Sequence, residues 1–382
     1  MKLASMRVLI VSGNNAACVR LFRFLSNDCR AKEAIFIGHP FAADSVRRSQ
    51  LMVSQASGET EWSIRRGQSY EPSSYLVDLL ITLFMLLCLR RRYDLYISGV
   101  PHLVLLGLLL RRAGLARSTV YWTHDYHPAR FKNKLLNWLY LKLDEICATH
   151  SDYTWNVVSE IGEHRTRRGI ATPPDRVLIV GDPVEAGQMQ WLAPEDIPAA
   201  SVVNSGLVQP GYGFDLLLEA LPLIVDKVPE LKVTVTTYQK LPDELERRIN
   251  DLGLASSFHM MGFIPDEDEY TRVLQRHRVG LALYEPKAGT HKRYSESRAK
   301  SYLARGVPVI ITRVAPISSE IEKSGAGIVI EYDSQELAEA IVRLVSDDES
   351  YRRCRDNAIS LAQRYRADVV VPAAFERMGI QI

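Results

Sequence analysis

The stretch LALYEPKAGTHKRYSESRAKSYLARGVPVIIT, residues 281–312, decides the fold. It opens as an apolar strand, crosses a polar loop, continues as a helix, and returns through Gly306 to a second apolar strand. Two strands joined through a helix run parallel, because an antiparallel pair needs only a tight turn. Both are apolar on successive residues, the pattern of a sheet covered by helices on both faces. The loop between them is unusual in gathering Lys287, His291, Lys292, Arg293 and Arg298.

The same alternation extends in both directions. Short apolar runs at 6–11, 33–39, 93–98, 118–124, 153–159 and 176–181 form one series. Runs at 201–207, 231–237, 258–263, 279–285, 307–313 and 327–332 form another. Helical spacing lies between most of them, as in LLLEALPLIVDKV (216–228) and LAEAIVRLV (337–345). Two such series predict an α/β protein of two doubly wound, Rossmann-like domains facing a cleft. The Gly-, Pro- and Ala-rich stretch 181–200 separates them. The expected division is 1–190, 191–364, and a segment 365–382 that returns to the first domain.

A length of 382 residues supplies two cores, and 47% apolar with 24% charged residues excludes a disordered chain. Five cysteines without CxxC spacing indicate neither a disulfide framework nor a zinc site, and a reducing cytoplasm fits them. The longest apolar run, 76–89, is shorter than the roughly 20 residues a membrane span needs. Residues 1–190 carry 24 lysines and arginines against 17 acids, and the remainder carries 23 against 28. Such asymmetry points to an anionic partner on the first half. The bases Arg47, Arg48, Arg65, Arg66, Arg90, Arg91, Arg92, Arg111 and Arg112 would suit an anionic membrane surface. No nucleic-acid partner is expected.

Ligands of open parallel sheets bind beyond the carboxyl ends of the strands. Gly206, Gly211 and Gly213 lie there, between a strand and a helix starting near Phe214. Glycines let backbone N–H groups approach phosphate, and a helix N-terminus favours negative charge. His124 and Asp125 end a strand of the first series in the same way. The apolar stripe Leu135, Leu136, Leu139, Tyr140 and Leu143 reads as core. Asp266, Glu267, Asp268 and Glu269 resemble metal ligands, but they precede a helix, where acids suit the dipole.

Taken in order, VVNSGLVQPGYGFDLLLEAL (202–221), FHMMGFIPDEDEYTRVLQRHRVGLALYE (258–285), AKSYLARGVPVIIT (299–312) and EIEKSGAGIVIEYDSQELAEAIVRLVSDD (320–348) resemble the donor domain of the retaining GT-B glycosyltransferases. The resemblance implies a hexosyltransferase with a nucleoside-diphosphate sugar as substrate, no cofactor and no obligatory metal. It implies an acceptor, a glycan or a lipid-linked one, in the first domain, and the basic residues of the first half add the expectation of a cytoplasmic protein peripheral on the inner face of the membrane. It sets Phe263 and Ile264 at the nucleobase, and His124, with Asp125, beside the reacting sugar. The chain departs from the family at several points. Leu207 and Tyr212 stand where the family has an Arg and a Lys for the diphosphate. Arg293 and Ser301 stand where it has paired glutamates, and Glu296 is an alternative holder of one of those roles. Lys292, Arg293 and Arg298 are therefore expected to take over the anion-binding role. A nucleotide-sugar epimerase and a non-catalytic binding or scaffold protein remain the alternatives.

Overall fold

The computed structural model describes residues 2–13, 15–40, 47–66, 73–124, 126–237, 240–264, 266–287 and 296–382. The chain divides into two compact units, Met1–Pro183 with Ala367–Ile382, and Val184–Arg366. The division falls inside the 181–200 stretch, at Pro183 and not at 190.

The first unit is built as β1 (Arg7–Gly13), α1 (Ala16–Arg23), β2 (Glu33–His39), β3 (Arg48–Gln55), β4 (Gly58–Arg65), α2 (Ser73–Leu89), β5 (Tyr93–Ser98), α3 (Pro101–Arg112), β6 (Ala116–Thr123), α4 (Lys134–His150), β7 (Tyr153–Asn156), α5 (Ser159–Arg167) and β8 (Val177–Ile179). Its sheet has the order β4-β3-β2-β1-β5-β6-β7-β8 among the described residues. β1 and β2 are buried along nearly their whole length, which is why their sequences do not alternate. The purely parallel sheet read from the sequence is corrected at one edge, where β3 pairs antiparallel with β2 and with β4. β4 is almost wholly exposed, so its sequence, GETEWSIR, has no apolar run to betray it.

The second unit holds β9 (Ser201–Ser205), α6 (Phe214–Val225), β10 (Lys232–Thr236), α7 (Asp243–Asp251), β11 (Phe258–Met260), α8 (Glu267–Leu274), β12 (Val279–Ala282), α9 (Ser297–Ala304), β13 (Val309–Thr312), α10 (Ile317–Ser324), β14 (Gly327–Ile330), α11 (Ser334–Ser346) and α12 (Asp348–Ala362). Its strands are all parallel, in the order β11-β10-β9-β12-β13-β14. Apolar side chains of α6 and α11 meet those of β9, β10 and β12 in one core. On the other face, α9, α10 and α12 cover β12 and β13. The chain then re-enters the first unit as α13 (Ala367–Arg377), where Phe375 packs edge-on against Trp155 of β7.

Strand order reverses between β1 and β5 in one sheet and between β9 and β12 in the other. At such a switch point the following loops diverge and leave a crevice. Each unit has its candidate site there.

Candidate functional site

In the second unit β9 runs into Gly206, whose φ is +102°, and the turn ends at Gly213, φ +70°, just before α6. A Cβ on Gly213 would lie 2.2 Å from the Leu283 Cβ, so only glycine permits this approach of the turn to the end of β12. Gly211 also has positive φ. A Cβ on Gly206 would lie 3.0 Å from the Arg298 guanidinium. The charge of Arg298 is thus delivered from the start of α9 to the glycine turn. Tyr212 and Tyr284 hold it, their ring centroids 5.4 and 5.6 Å from the guanidinium carbon. Tyr212, which stands where the sequence resemblance expects a base, instead lays its ring against the guanidinium of one from another segment. The Nη1 of Arg298 is buried and has no hydrogen-bond partner among the described residues. Buried guanidinium N–H groups are rarely left so, and an anion is the natural complement.

The other second-unit candidates divide. Phe263 is exposed after β11, beside the half-buried Ile264. Glu296 is tied to Lys300 at 2.8 Å, with both side chains largely buried. Ser301 Oγ accepts from Arg305, which in turn donates to Glu267 and Thr271. Ser301 therefore serves to hold α9 to α8. Lys292 and Arg293 lie outside the described residues, as does Asp125 of the first unit. Asp266 is a helix cap: its carboxylate accepts from Glu269 N–H at 2.7 Å. No group of His, Cys, Asp or Glu among the described residues is arranged to hold a metal ion.

In the first unit a cavity of about 330 Å³ opens at the β1/β5 switch point, with His124 in its lining. His124 follows β6, and its ring lies tilted against Trp122, the centroids 4.2 Å apart. Its Nδ1 lies 2.9 Å from an Asp182 carboxylate oxygen, and its Nε2 lies 3.6 Å from Cys18 Sγ. Burial opposes charge on the ring, but Cys18 and Asp182 outweigh burial and push the His124 pKa up to about 10. The Asp182 carboxylate and the Cys18 sulfur thus bias the His124 ring toward its protonated form. The next residue inward, Thr123, accepts from Arg165, which is buried against Asp144 and Asn156. That network ties α4 and α5 to the end of β6 and fixes where His124 begins. Deeper in the cavity, Asp78 pairs with the buried Arg66. His39, bonded to Ser49 and Thr82, is lowered to a pKa of about 4, chiefly by burial.

Residues 200–347 match the family model for group 1 glycosyl transferases. Solved structures of similar fold include HepE of Anabaena in complex with UDP. It is 16% identical, with TM-score 0.68, over 98% of this chain and 100% of that one. Sucrose-phosphate synthase of Thermosynechococcus elongatus is 14% identical, with TM-score 0.69, over 98% of each chain. The chain has the GT-B fold, and its residues 200–347 carry a group 1 glycosyl transferase domain. A UDP-forming α,α-trehalose-phosphate synthase of Burkholderia xenovorans has the same fold at 11% identity and TM-score 0.68, over 98% of this chain and 99% of that one. No relative was found among curated protein sequences.

Two residues of the first-unit site carried no sequence signal. Asp182 and Cys18 stand 58 and 106 positions from His124. Asp182 is a carboxylate bonded to the ring among the described residues, and Asp125, the neighbouring acid in the sequence, lies outside them. Arg66, read as a surface base, is instead buried and paired with Asp78.

Proposed function

We propose that the protein transfers a hexose from UDP to a hydroxyl of a lipid-linked or cell-surface glycan acceptor, keeping the anomeric configuration. The second unit holds the donor, with Phe263 and Ile264 at the uracil and the glycine turn at the diphosphate. The observation that carries the reading is the buried N–H of Arg298 behind Gly206, without a partner among the described residues, inside a group 1 glycosyl transferase domain. The sugar C1–O bond to the β-phosphate breaks and its electron pair leaves on UDP. The acceptor oxygen bonds C1, and its proton passes to the departing β-phosphate oxygen. Charge growing on the leaving oxygen is met by Arg298 and the N–H groups opening α6, with Lys292 and Arg293 as further cations. No metal is given a part in this scheme. His124, with Asp125 beside it in the chain, lines the sugar's position, and its positive charge suits a departing phosphate. The reading places the protein in the cytoplasm, at the inner face of a membrane. Its five free thiols suit that compartment.

The test is calorimetric titration of UDP and UDP-glucose into wild type and Arg298→Ala. A charge-assisted hydrogen bond is worth about 1.5–3 kcal/mol, so affinity should fall roughly tenfold or more. Equal affinities in two folded proteins would remove Arg298 from the site. Products formed without acceptor, by isomerisation of the donor, would mark an epimerase.

A further inference from the structure

α2 presents Leu76, Leu80, Phe84 and Leu87 to solvent, exposed by 61, 57, 50 and 70%. Their spacing puts them along one helix face. The charged residue within α2 is Asp78, and it is turned inward to Arg66. The exposed face of this helix therefore carries no charge, contrary to the usual composition of a solvated helix. α3 packs between α2 and α4 and adds exposed Leu109 to the same layer. α4 adds Leu135, Trp138 and Leu139, all exposed, so the stripe read as core from the sequence lies partly at the surface. Trp62 of β4 extends the face by packing on Phe84 at 6.0 Å.

Charge is distributed around this layer and not across it. Lys132 and Lys134 stand exposed at the start of α4, and Arg90 and Arg92 follow the end of α2. Apolar side chains, two tryptophans and flanking cations make the pattern of an interfacial surface on anionic lipid. Leu139 links this face to the cavity, for it is both exposed and part of the cavity wall. Tyr75, Phe131 and Leu143 continue that wall inward toward His102 and Asp78. An apolar path thus runs from the exposed layer to a polar floor.

We propose that the α2–α3–α4 layer rests on an anionic bilayer, and that the cavity takes an amphiphilic acceptor from it past Leu139. The second clause rests on the acceptor reading given above, while the first stands without it. The experiment is flotation with vesicles of phosphatidylglycerol and phosphatidylethanolamine, and with phosphatidylcholine alone. Wild type should float with the anionic vesicles. Leu80→Asp/Leu87→Asp should lose at least tenfold in partitioning, with UDP affinity unchanged. Lys132→Glu/Lys134→Glu should lose its preference for anionic vesicles. Brominated lipid should quench wild-type fluorescence more than that of Trp138→Phe. Dodecyl phosphate, below its micellar concentration, should raise the melting temperature of wild type but not of Leu143→Trp, in which the cavity is filled. Any rise with inorganic phosphate should be the same in both proteins.

Equal partitioning of wild type and Leu80→Asp/Leu87→Asp would overturn the surface. So would a wild-type dimer that this variant converts to a monomer without any vesicle binding, which would assign the face to a second copy. Equal shifts with dodecyl phosphate in wild type and Leu143→Trp would overturn the cavity's part. Vesicle binding without sugar transfer to any acceptor would leave the surface standing and defeat the transferase reading alone.

Discussion

His39 and His124 sit in one unit and hold opposite charge states, because burial wins at one and Asp182 with Cys18 wins at the other. Folded His39 refuses a proton that the unfolded chain accepts below about pH 6.5. Its contribution is present above that pH and lost as pH falls toward 4, a loss of about 3 kcal/mol. Folded His124 keeps a proton that the unfolded chain releases. Its contribution is present below about pH 6.5 and lost as pH rises toward 10. Tryptophan-monitored melting of the first unit should therefore weaken on both sides of neutrality. His39→Gln should flatten the acid limb and His124→Gln the alkaline limb; unchanged limbs in both would refute the assignment. Sequence made His124 and the glycines legible because strand ends and turns are local features. The Asp182 and Cys18 partners are products of tertiary folding, and no local pattern marks them.

Among the elements, α9 is bound to β9 through one hydroxyl. Tyr302 Oη accepts from Ser205 N–H at 2.8 Å, and its ring lies against Gly280 of β12, where a Cβ would meet it at 2.5 Å. This junction sets Arg298, one turn earlier on α9, against the glycine turn that follows Ser205. Tyr302→Phe leaves a buried N–H without that acceptor and should cost about 1–3 kcal/mol. Donor affinity should fall with it, since Arg298 loses its register. A thermal shift without loss of UDP binding would show that the junction supports only stability. Each apolar run read as a strand is a strand, since burial on both faces leaves an unbroken signature. β3 escaped because only alternate residues of it are buried, and β4 because it is an exposed edge. The α4 stripe misled because helical spacing shows that a face is apolar and not what covers it.

Across the whole molecule, each unit has its own core, yet the first is assembled from both ends of the described chain. Lys2 bridges to Gln381, and fully buried Phe375 packs on Trp155. Phe375→Ala should destabilise the first unit by about 3–5 kcal/mol, the usual range for a buried phenylalanine. Trp122 and Trp155 report that unit and Trp191 the other, so single-tryptophan variants can follow the two transitions separately. A matching fall in the Trp191 transition would contradict their independence.

The passage of the chain out of the first unit at Pro183 and back at Ala367 also dictates a timetable on the ribosome. The strands of the first unit emerge earliest, but α13 is not made until all of the second unit has been translated. At ordinary elongation rates that interval is roughly 10–40 s. The unit begun first is thus finished last. During the wait its β7 face, with Trp155, lacks its cover, while the second unit has everything it needs to fold. Released chains truncated at residue 366 should therefore contain a protease-resistant second unit beside a first unit that is still open to cleavage and to chaperones.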